Sequence, residues 1–234
     1  MWPINNQATL YPPTCLLCGA QGRQERDLCH ECAQDLPHNP HACKHCALPL
    51  PSGSAVAVCG FCQKRPPGFD RAFAPFRYQN PVDHLLGRFK YQGSLSHGRL
   101  LGDLFLQQLI ASDAPLPEVI IPAPMHASRL RERGLNQTAE LARHLSRSLN
   151  IPWRHDVLLK QRHTDTQRGL TRRQRRQNIK GSFVCEGPLP WRHVALLDDV
   201  ITTGTTAEEM ARSLRRAGIE EISLWAVART PEGV

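Results

Sequence analysis

Short apolar runs alternate with amphipathic segments over the larger, C-terminal part of the chain. Strand-like runs occur at residues 71–77, 119–121, 194–197 and 222–227. Between them, apolar residues recur at helical spacing around residues 100–110, 136–149 and 207–217. This alternation predicts an α/β fold, with an open, mainly parallel sheet flanked by helices.

The first 62 residues have a different pattern, dominated by cysteine. Eight of the nine cysteines form four C-x-x-C pairs: Cys15/Cys18, Cys29/Cys32, Cys43/Cys46 and Cys59/Cys62. A Pro-Pro-Gly cluster at residues 66–68 follows the last pair. We therefore predict two domains, a small cysteine-rich module over residues 1–68 and an α/β domain over residues 69–234.

The paired cysteines predict two zinc ions. Two C-x-x-C knuckles complete the tetrahedral shell of four thiolates that zinc prefers. The segments between knuckles, of ten, ten and twelve residues, are too short to bury a hydrophobic core of their own. A disulfide framework would need an oxidising compartment, and redox C-x-x-C motifs do not normally come in fours. Sequential pairing of the knuckles is preferred, and interleaved pairing remains open.

Charge adds a preference for polyanionic partners. The 234 residues contain 29 Lys or Arg and 21 Asp or Glu, a formal charge of +8. Residues 160–180 alone hold eight Lys or Arg and one Asp, a local net charge of +7. The chain starts without the pattern of a signal peptide, and no run approaches the ~18 apolar residues of a membrane span. We expect a cytoplasmic protein that does not insert into membranes.

A candidate phosphate site follows the third apolar run. Asp198 and Asp199 come where we expect that strand to end, and a hydroxyl-rich turn precedes the next helix, formed by Thr202, Thr203, Gly204, Thr205 and Thr206. Thr205 with Glu208, or Thr206 with Glu209, fits a capping box, so backbone N–H groups should be available at the helix start. The acids can accept hydrogen bonds from vicinal sugar hydroxyls. A ribose 5-phosphate would satisfy both halves.

The run VALLDDVITTGTT resembles the phosphoribosyl-pyrophosphate (PRPP) signature of type I phosphoribosyltransferases. The stretches EVIIPAPMHASRLRERGLNQTAEL and TDTQRGLTRRQRRQNIKGSF, with the cysteine-rich head, resemble the ComF family of DNA-utilisation and competence proteins. The resemblance spans nearly the whole chain. It implies a type I phosphoribosyltransferase-like domain behind a double zinc ribbon.

The resemblance also implies roles for particular residues. Asp198 and Asp199 would bind the ribose hydroxyls, and the turn from Thr202 to Thr206 the 5-phosphate. Residues 122–126, which include Met125 and His126, would form the pyrophosphate loop. Residues 162–180 would form a hood over the site, with Arg175 among the catalytic groups, and Lys90 is a candidate anion contact. The arginines at 129, 131 and 133 fit a pyrophosphate contact or a solvated turn equally.

Three functions are compatible with these features. The resemblance implies a role in competence or the use of external DNA, with a PRPP site, Mg²⁺ and sequence-independent binding of single-stranded DNA. A protein of the competence machinery, such as a DNA-uptake helicase, is then a candidate partner. The alternatives are an active phosphoribosyltransferase with an unidentified acceptor and a PRPP sensor without catalysis. Candidate DNA contacts are Arg168, Arg172, Arg173, Arg175 and Arg176.

Overall fold

The computed structural model describes residues 12–23, 26–162 and 177–231. Its helices are α1 (His30–Gln34), α2 (Gly60–Lys64), α3 (Val82–Gln92), α4 (Leu95–Ala111), α5 (Ala127–Arg133), α6 (Gln137–Leu149) and α7 (Thr205–Arg216). Its strands are β1 (Arg71–Phe73), β2 (Phe76–Arg77), β3 (Val119–Pro122), β4 (Leu158–Lys160), β5 (Phe183–Cys185), β6 (His193–Ile201) and β7 (Glu221–Arg229).

The central sheet is entirely parallel. Its strand order is β1-β7-β6-β3, and β2 also pairs with β7. The strand predicted over residues 71–77 is therefore two short strands on the same neighbour. β4 and β5 form a separate antiparallel pair. The predicted fold class is confirmed: an open parallel sheet lies between layers of helices, preceded by two clusters of four cysteines.

Alternating residues of the central strands supply two hydrophobic cores, one on each face of the sheet. On β6, Ala195 and Leu197 face the core that α3, α4 and α6 cover, and Val194 and Leu196 face the core that α7 covers. Burial on both faces explains why residues 194–197 of β6 and 224–228 of β7 are continuous apolar runs. The carboxyl ends of these strands meet at one edge, where ligands of open α/β sheets bind.

The cysteine-rich segment packs against this framework. Cys15 and Cys29 belong to the core under α3 and α4, and Arg26 donates a hydrogen bond to Gln107 Oε1 on α4 at 2.6 Å. The later cysteines form a small core of their own. The domain boundary near Gly68 stays a prediction. Among the described residues, no helix is long and apolar enough to cross a membrane.

Candidate functional site

The eight paired cysteines form two clusters. Cys15, Cys18, Cys29 and Cys32 make the first, Cys43, Cys46, Cys59 and Cys62 the second, and within each cluster all sulfurs lie within 4.8 Å of one another. One Sγ–Sγ distance in each cluster, Cys18–Cys29 and Cys46–Cys59, is 3.7 Å. Zinc–sulfur bonds of about 2.3 Å require tetrahedron edges of about 3.8 Å. The geometry fits two zinc ions, and the preferred sequential pairing is confirmed.

Short helices complete both clusters. In each, the third cysteine stands at the N-cap of a five-residue helix that contains the fourth. The Cys32 N–H donates to Cys29 Sγ at 3.4 Å, and the Cys59 N–H donates to Cys43 Sγ at 3.3 Å. Such N–H···S bonds stabilise thiolates, which are the form of cysteine that binds zinc.

At the carboxyl edge of the sheet, the first predicted loop leaves β3 beside β6, the strand that leads into the second loop. Pro122 pairs with Leu197, and the Ala123 N–H donates to the Leu197 carbonyl at 2.7 Å. The Ala123 carbonyl accepts hydrogen bonds from Asn136 and Thr138 at the start of α6. The candidate pyrophosphate loop is thus fixed beside the strand that carries the acidic pair.

The acidic pair lies inside a strand. We expected the strand to end at residue 197, and this was wrong: β6 continues through Asp198 and Asp199 to Ile201, because β7 pairs with it as far as Arg229. Asp199 is largely buried and its carboxylate lies 2.7 Å from Lys90 Nζ. Asp198 Oδ1 accepts a hydrogen bond from the Asp199 N–H at 2.8 Å.

The two carboxylates differ in their electrostatic setting. Burial and the neighbouring charge of Asp199 raise the pKa of Asp198 to about 7, although Lys90 and Lys160 oppose the rise. Burial acts against the charge of Lys90, but the nearby carboxylates outweigh it and raise the Lys90 pKa. The site therefore holds a carboxyl whose pKa is raised to about 7 beside the Lys90–Asp199 ion pair.

A second lysine, Lys160 on β4, acts electrostatically on Asp198. Burial lowers the pKa of Lys160, Arg129 lowers it further, and Asp198 acts in the opposite direction. The Lys160 Nζ lies 5.6 Å from the centre of the Phe183 ring. Lys160 could not be predicted from the sequence as a site residue, since an isolated lysine after a short apolar run carries no signal of where it points.

The candidate phosphate loop turns sharply into α7. Gly204 occupies the N-cap with a φ of 74°, in the left-handed region that favours glycine. Thr203 Oγ1 lies 2.9 Å from Thr205 Oγ1 and accepts from the Thr205 N–H at 3.4 Å. The predicted capping box is wrong, because glycine offers no side-chain cap and Glu209 instead accepts from the Gly181 N–H at 2.8 Å.

The remaining predicted residues lie near the first loop or outside the described residues. His126 is the N-cap of α5, where its Nδ1 accepts from the Ser128 N–H at 3.3 Å, and Met125 is half-buried in the same turn. The Arg133 guanidinium stacks 5.6 Å from the centre of the Tyr91 ring. Outside the described residues lie Arg168, Arg172, Arg173, Arg175 and Arg176.

Comparison with known proteins adds two kinds of likeness. A family model described as a double zinc ribbon domain matches residues 7–63. Competence protein F of Haemophilus influenzae is 38% identical over 225 residues, which cover 92% of this chain and 96% of that protein. The DNA utilization protein YhgH of Escherichia coli K12 is 31% identical, over 92% of this chain and 90% of its own. Competence protein ComFC of Bacillus subtilis is 25% identical, over 87% of this chain and 89% of that protein.

Solved phosphoribosyltransferases resemble part of the chain. Orotate phosphoribosyltransferase from Aeropyrum pernix aligns with 58% of this chain and 61% of its own, at 19% identity and a TM-score of 0.35. A purine phosphoribosyltransferase from Pyrococcus horikoshii aligns over 58% of this chain and 84% of that enzyme, at 18% identity and a TM-score of 0.35. At these scores the likeness carries no conclusion about function.

Proposed function

This chain belongs to the ComF family of competence and DNA-utilisation proteins, and from that premise we propose that it binds PRPP or a related ribose phosphate. The observation that carries the proposal is the meeting of three features at one sheet edge. These are the acids of β6, the Gly204 turn at the start of α7, and the loop of residues 122–126. Lys90, Lys160 and Arg129 add positive charge around them.

Each feature suits a different part of the ligand. Asp198 and Asp199 can accept hydrogen bonds from the ribose hydroxyls, and backbone N–H groups at the start of α7 can bind the 5-phosphate. The loop of residues 122–126 would face the pyrophosphate. Carboxylate and phosphate oxygens are the ligands that Mg²⁺ prefers, so the acidic pair fits a magnesium ion carried in by the pyrophosphate. Such a cation would also favour the ionised form of Asp198.

Binding at this site is compatible with transfer and with sensing. In transfer, an acceptor nucleophile would form a bond to C1 of the ribose as the bond to pyrophosphate breaks. The residues of the chain would hold the two reactants and neutralise the developing charge. In sensing, occupancy would change the contacts of the basic segment without turnover.

Calorimetry of the zinc-loaded full chain with PRPP and Mg²⁺ tests the proposal. The wild type should bind, and Asp198→Asn/Asp199→Asn should bind at least about tenfold more weakly, because it loses charged acceptors for the ribose hydroxyls. The exposed pair Asp113→Asn/Asp156→Asn removes the same charge elsewhere and should bind as the wild type does. No wild-type binding would refute the site, and unchanged affinity in the first variant would refute the ribose assignment.

Sequence-independent binding of single-stranded DNA is the second candidate function. Its support is the local net charge of +7 over residues 160–180 and the names of the relatives, which are competence and DNA utilization proteins. Contacts to phosphates need positive charge and no particular base sequence. Under this proposal the protein acts in the cytoplasm on DNA delivered by the uptake machinery, with a DNA-uptake helicase as a candidate partner.

A further inference from the structure

The side chain of Arg229 connects the second cysteine cluster to the candidate phosphate loop. Arg229 is the last residue of β7 and is only 8% exposed. Its Nε donates a hydrogen bond to the Cys46 carbonyl at 3.0 Å. Its Nη1 donates to the carbonyls of Ile201 at 3.1 Å and Thr230 at 2.7 Å, and also to the carbonyl of Thr202. One guanidinium therefore spans two parts of the candidate site.

On the zinc side, Arg229 holds a knuckle that is itself fixed to the sheet. Cys46 is one of the four cysteines of the second cluster. The Ala72 N–H of β1 donates to the Lys44 carbonyl at 3.2 Å. The Asn39 amide donates to the carbonyls of Ala47 at 2.9 Å and Ala74 at 3.1 Å. With zinc bound, the position of the Cys46 carbonyl is set by the metal and by the sheet together.

On the loop side, Arg229 holds the residues directly before the turn. Ile201 and Thr202 lead into Thr203 and Gly204, which set the start of α7. A second contact joins the same two regions, since the Arg65 guanidinium, just after the second cluster, lies 4.0 Å from Glu208 on α7. Cys46, Cys62, Thr203, Gly204 and Arg229 also line one common cavity.

We propose that Arg229 is a positioning residue through which zinc in the second cluster orders the phosphate loop. The inference rests on the proposed function only for the identity of the ligand at that loop. Loss of this zinc removes one of the two restraints on the Cys46 carbonyl, so that Arg229 loses a fixed acceptor and the turn at Gly204 loosens. By thermodynamic reciprocity, a ligand on the loop raises the zinc affinity of this cluster.

The first cluster provides an internal control. Its Cys15 and Cys29 pack with the core under α3 and α4, whereas the cysteine whose carbonyl accepts from Arg229 belongs to the second cluster. Cys32 and Cys62 occupy equivalent places, each the fourth cysteine of its cluster and each inside a five-residue helix. Exchanging either for serine removes one thiolate from one cluster and leaves the other cluster unchanged.

Hydrogen exchange of the full chain tests the coupling without any ligand. Cys62→Ser should lose one zinc and increase amide exchange at residues 203–206 by about tenfold, whereas Cys32→Ser should lose one zinc and leave those amides unchanged. Arg229→Lys should keep both zinc ions and still increase the exchange, because one ammonium cannot span both groups of carbonyls as the guanidinium does. Equal loop exchange in Cys62→Ser and Cys32→Ser would overturn the inference. If Cys62→Ser does not fold, wild-type loop exchange in zinc-loaded Arg229→Lys would overturn it.

Competition for zinc with a chromogenic chelator, taken to equilibrium, supplies the reciprocal measurement. PRPP with Mg²⁺ should reduce zinc release from one of the two clusters in the wild type and leave release from both unchanged in Arg229→Lys. If PRPP fails to bind while the exchange difference between the cysteine variants persists, the coupling stands and the proposed ligand is wrong. If PRPP binds and neither exchange nor zinc release responds, the ligand stands and the coupling is wrong.

Discussion

Ionisation of the Asp198 carboxyl group destabilises the folded state. Its pKa is raised to about 7 by burial and by the charge of Asp199. The folded state therefore binds this proton more tightly than the unfolded chain does. The stabilising contribution is complete below the unfolded pKa near 3.8 and is lost as the pH rises through about 7. An unfavourably ionised carboxyl suits a binding site, because a bound cation or sugar hydroxyls would stabilise its charge.

Asp198→Asn should therefore stabilise the unliganded protein at alkaline pH. We expect a gain of about 2 kcal/mol in the free energy of unfolding at pH 8 and a smaller gain at pH 5, because the variant buries no charge. Urea unfolding followed by circular dichroism at both pH values measures it.

Asp156→Asn is the control, because the pKa of Asp156 is lowered where that of Asp198 is raised. The ion pair with Arg154 lowers the pKa of exposed Asp156 to about 2, so removing that carboxylate should not stabilise the protein at pH 8. A loss of stability in Asp198→Asn at pH 8 would contradict the assignment of Asp198 as a strained carboxyl.

At the scale of elements, hydrophobic periodicity predicted helices correctly, whereas strand ends that depend on a neighbouring strand could not be predicted from the sequence. The helix predicted over residues 136–149 is α6, with Asn136 as its N-cap. The helix predicted over residues 100–110 is the second part of α4, which begins at Leu95. α3 and α5 were not predicted. β6 runs past its acids because β7 supplies partners there, which local polarity does not reveal.

Two glycines show how closely the helices pack. A Cβ on Gly98 of α4 would lie 2.5 Å from Phe89 Cε2 on α3, whereas a Cβ on Gly87 of α3 would have no heavy atom within 4 Å. Gly98→Ala should destabilise the protein by about 1–3 kcal/mol through overpacking. Gly87→Ala should stabilise it by up to about 1 kcal/mol through helix propensity. Urea unfolding measures both, and shifts of the same sign would contradict this packing.

At the scale of the molecule, the sequence predicted which motifs meet but not which single residues join them. The two four-cysteine clusters and the meeting of both loops at one edge follow from spacing and from the rule for parallel sheets. Arg229 and Lys160 gain their roles only from tertiary neighbours, so a lone basic residue in the sequence did not reveal them. The charge distribution, by contrast, is visible in the sequence and bears on partners.

Binding of single-stranded DNA should depend on the basic segment more than on net charge. Exchanging Arg172, Arg173, Arg175 and Arg176 for Gln should reduce the slope of log affinity against log salt concentration by up to about 3, at about 0.7 per lost phosphate contact. The control exchanges four arginines on helix surfaces for Gln: Arg88, Arg99, Arg147 and Arg216. Fluorescence anisotropy of a labelled oligonucleotide over a salt series measures both. An unchanged slope in the first variant would exclude its arginines as phosphate contacts.

The position of β7 has a consequence for the synthesis of the protein. β7 lies between β1 and β6, so Arg71 pairs with Ser223, a residue made much later. A ribosome releases the eight paired cysteines long before β7, and zinc can close both clusters while the sheet still lacks its centre. Until β7 emerges, β1 and β6 each present an unpaired edge. The nascent chain thus acquires its metal-binding part early and depends on protection of its strands until nearly all of the sheet has been made.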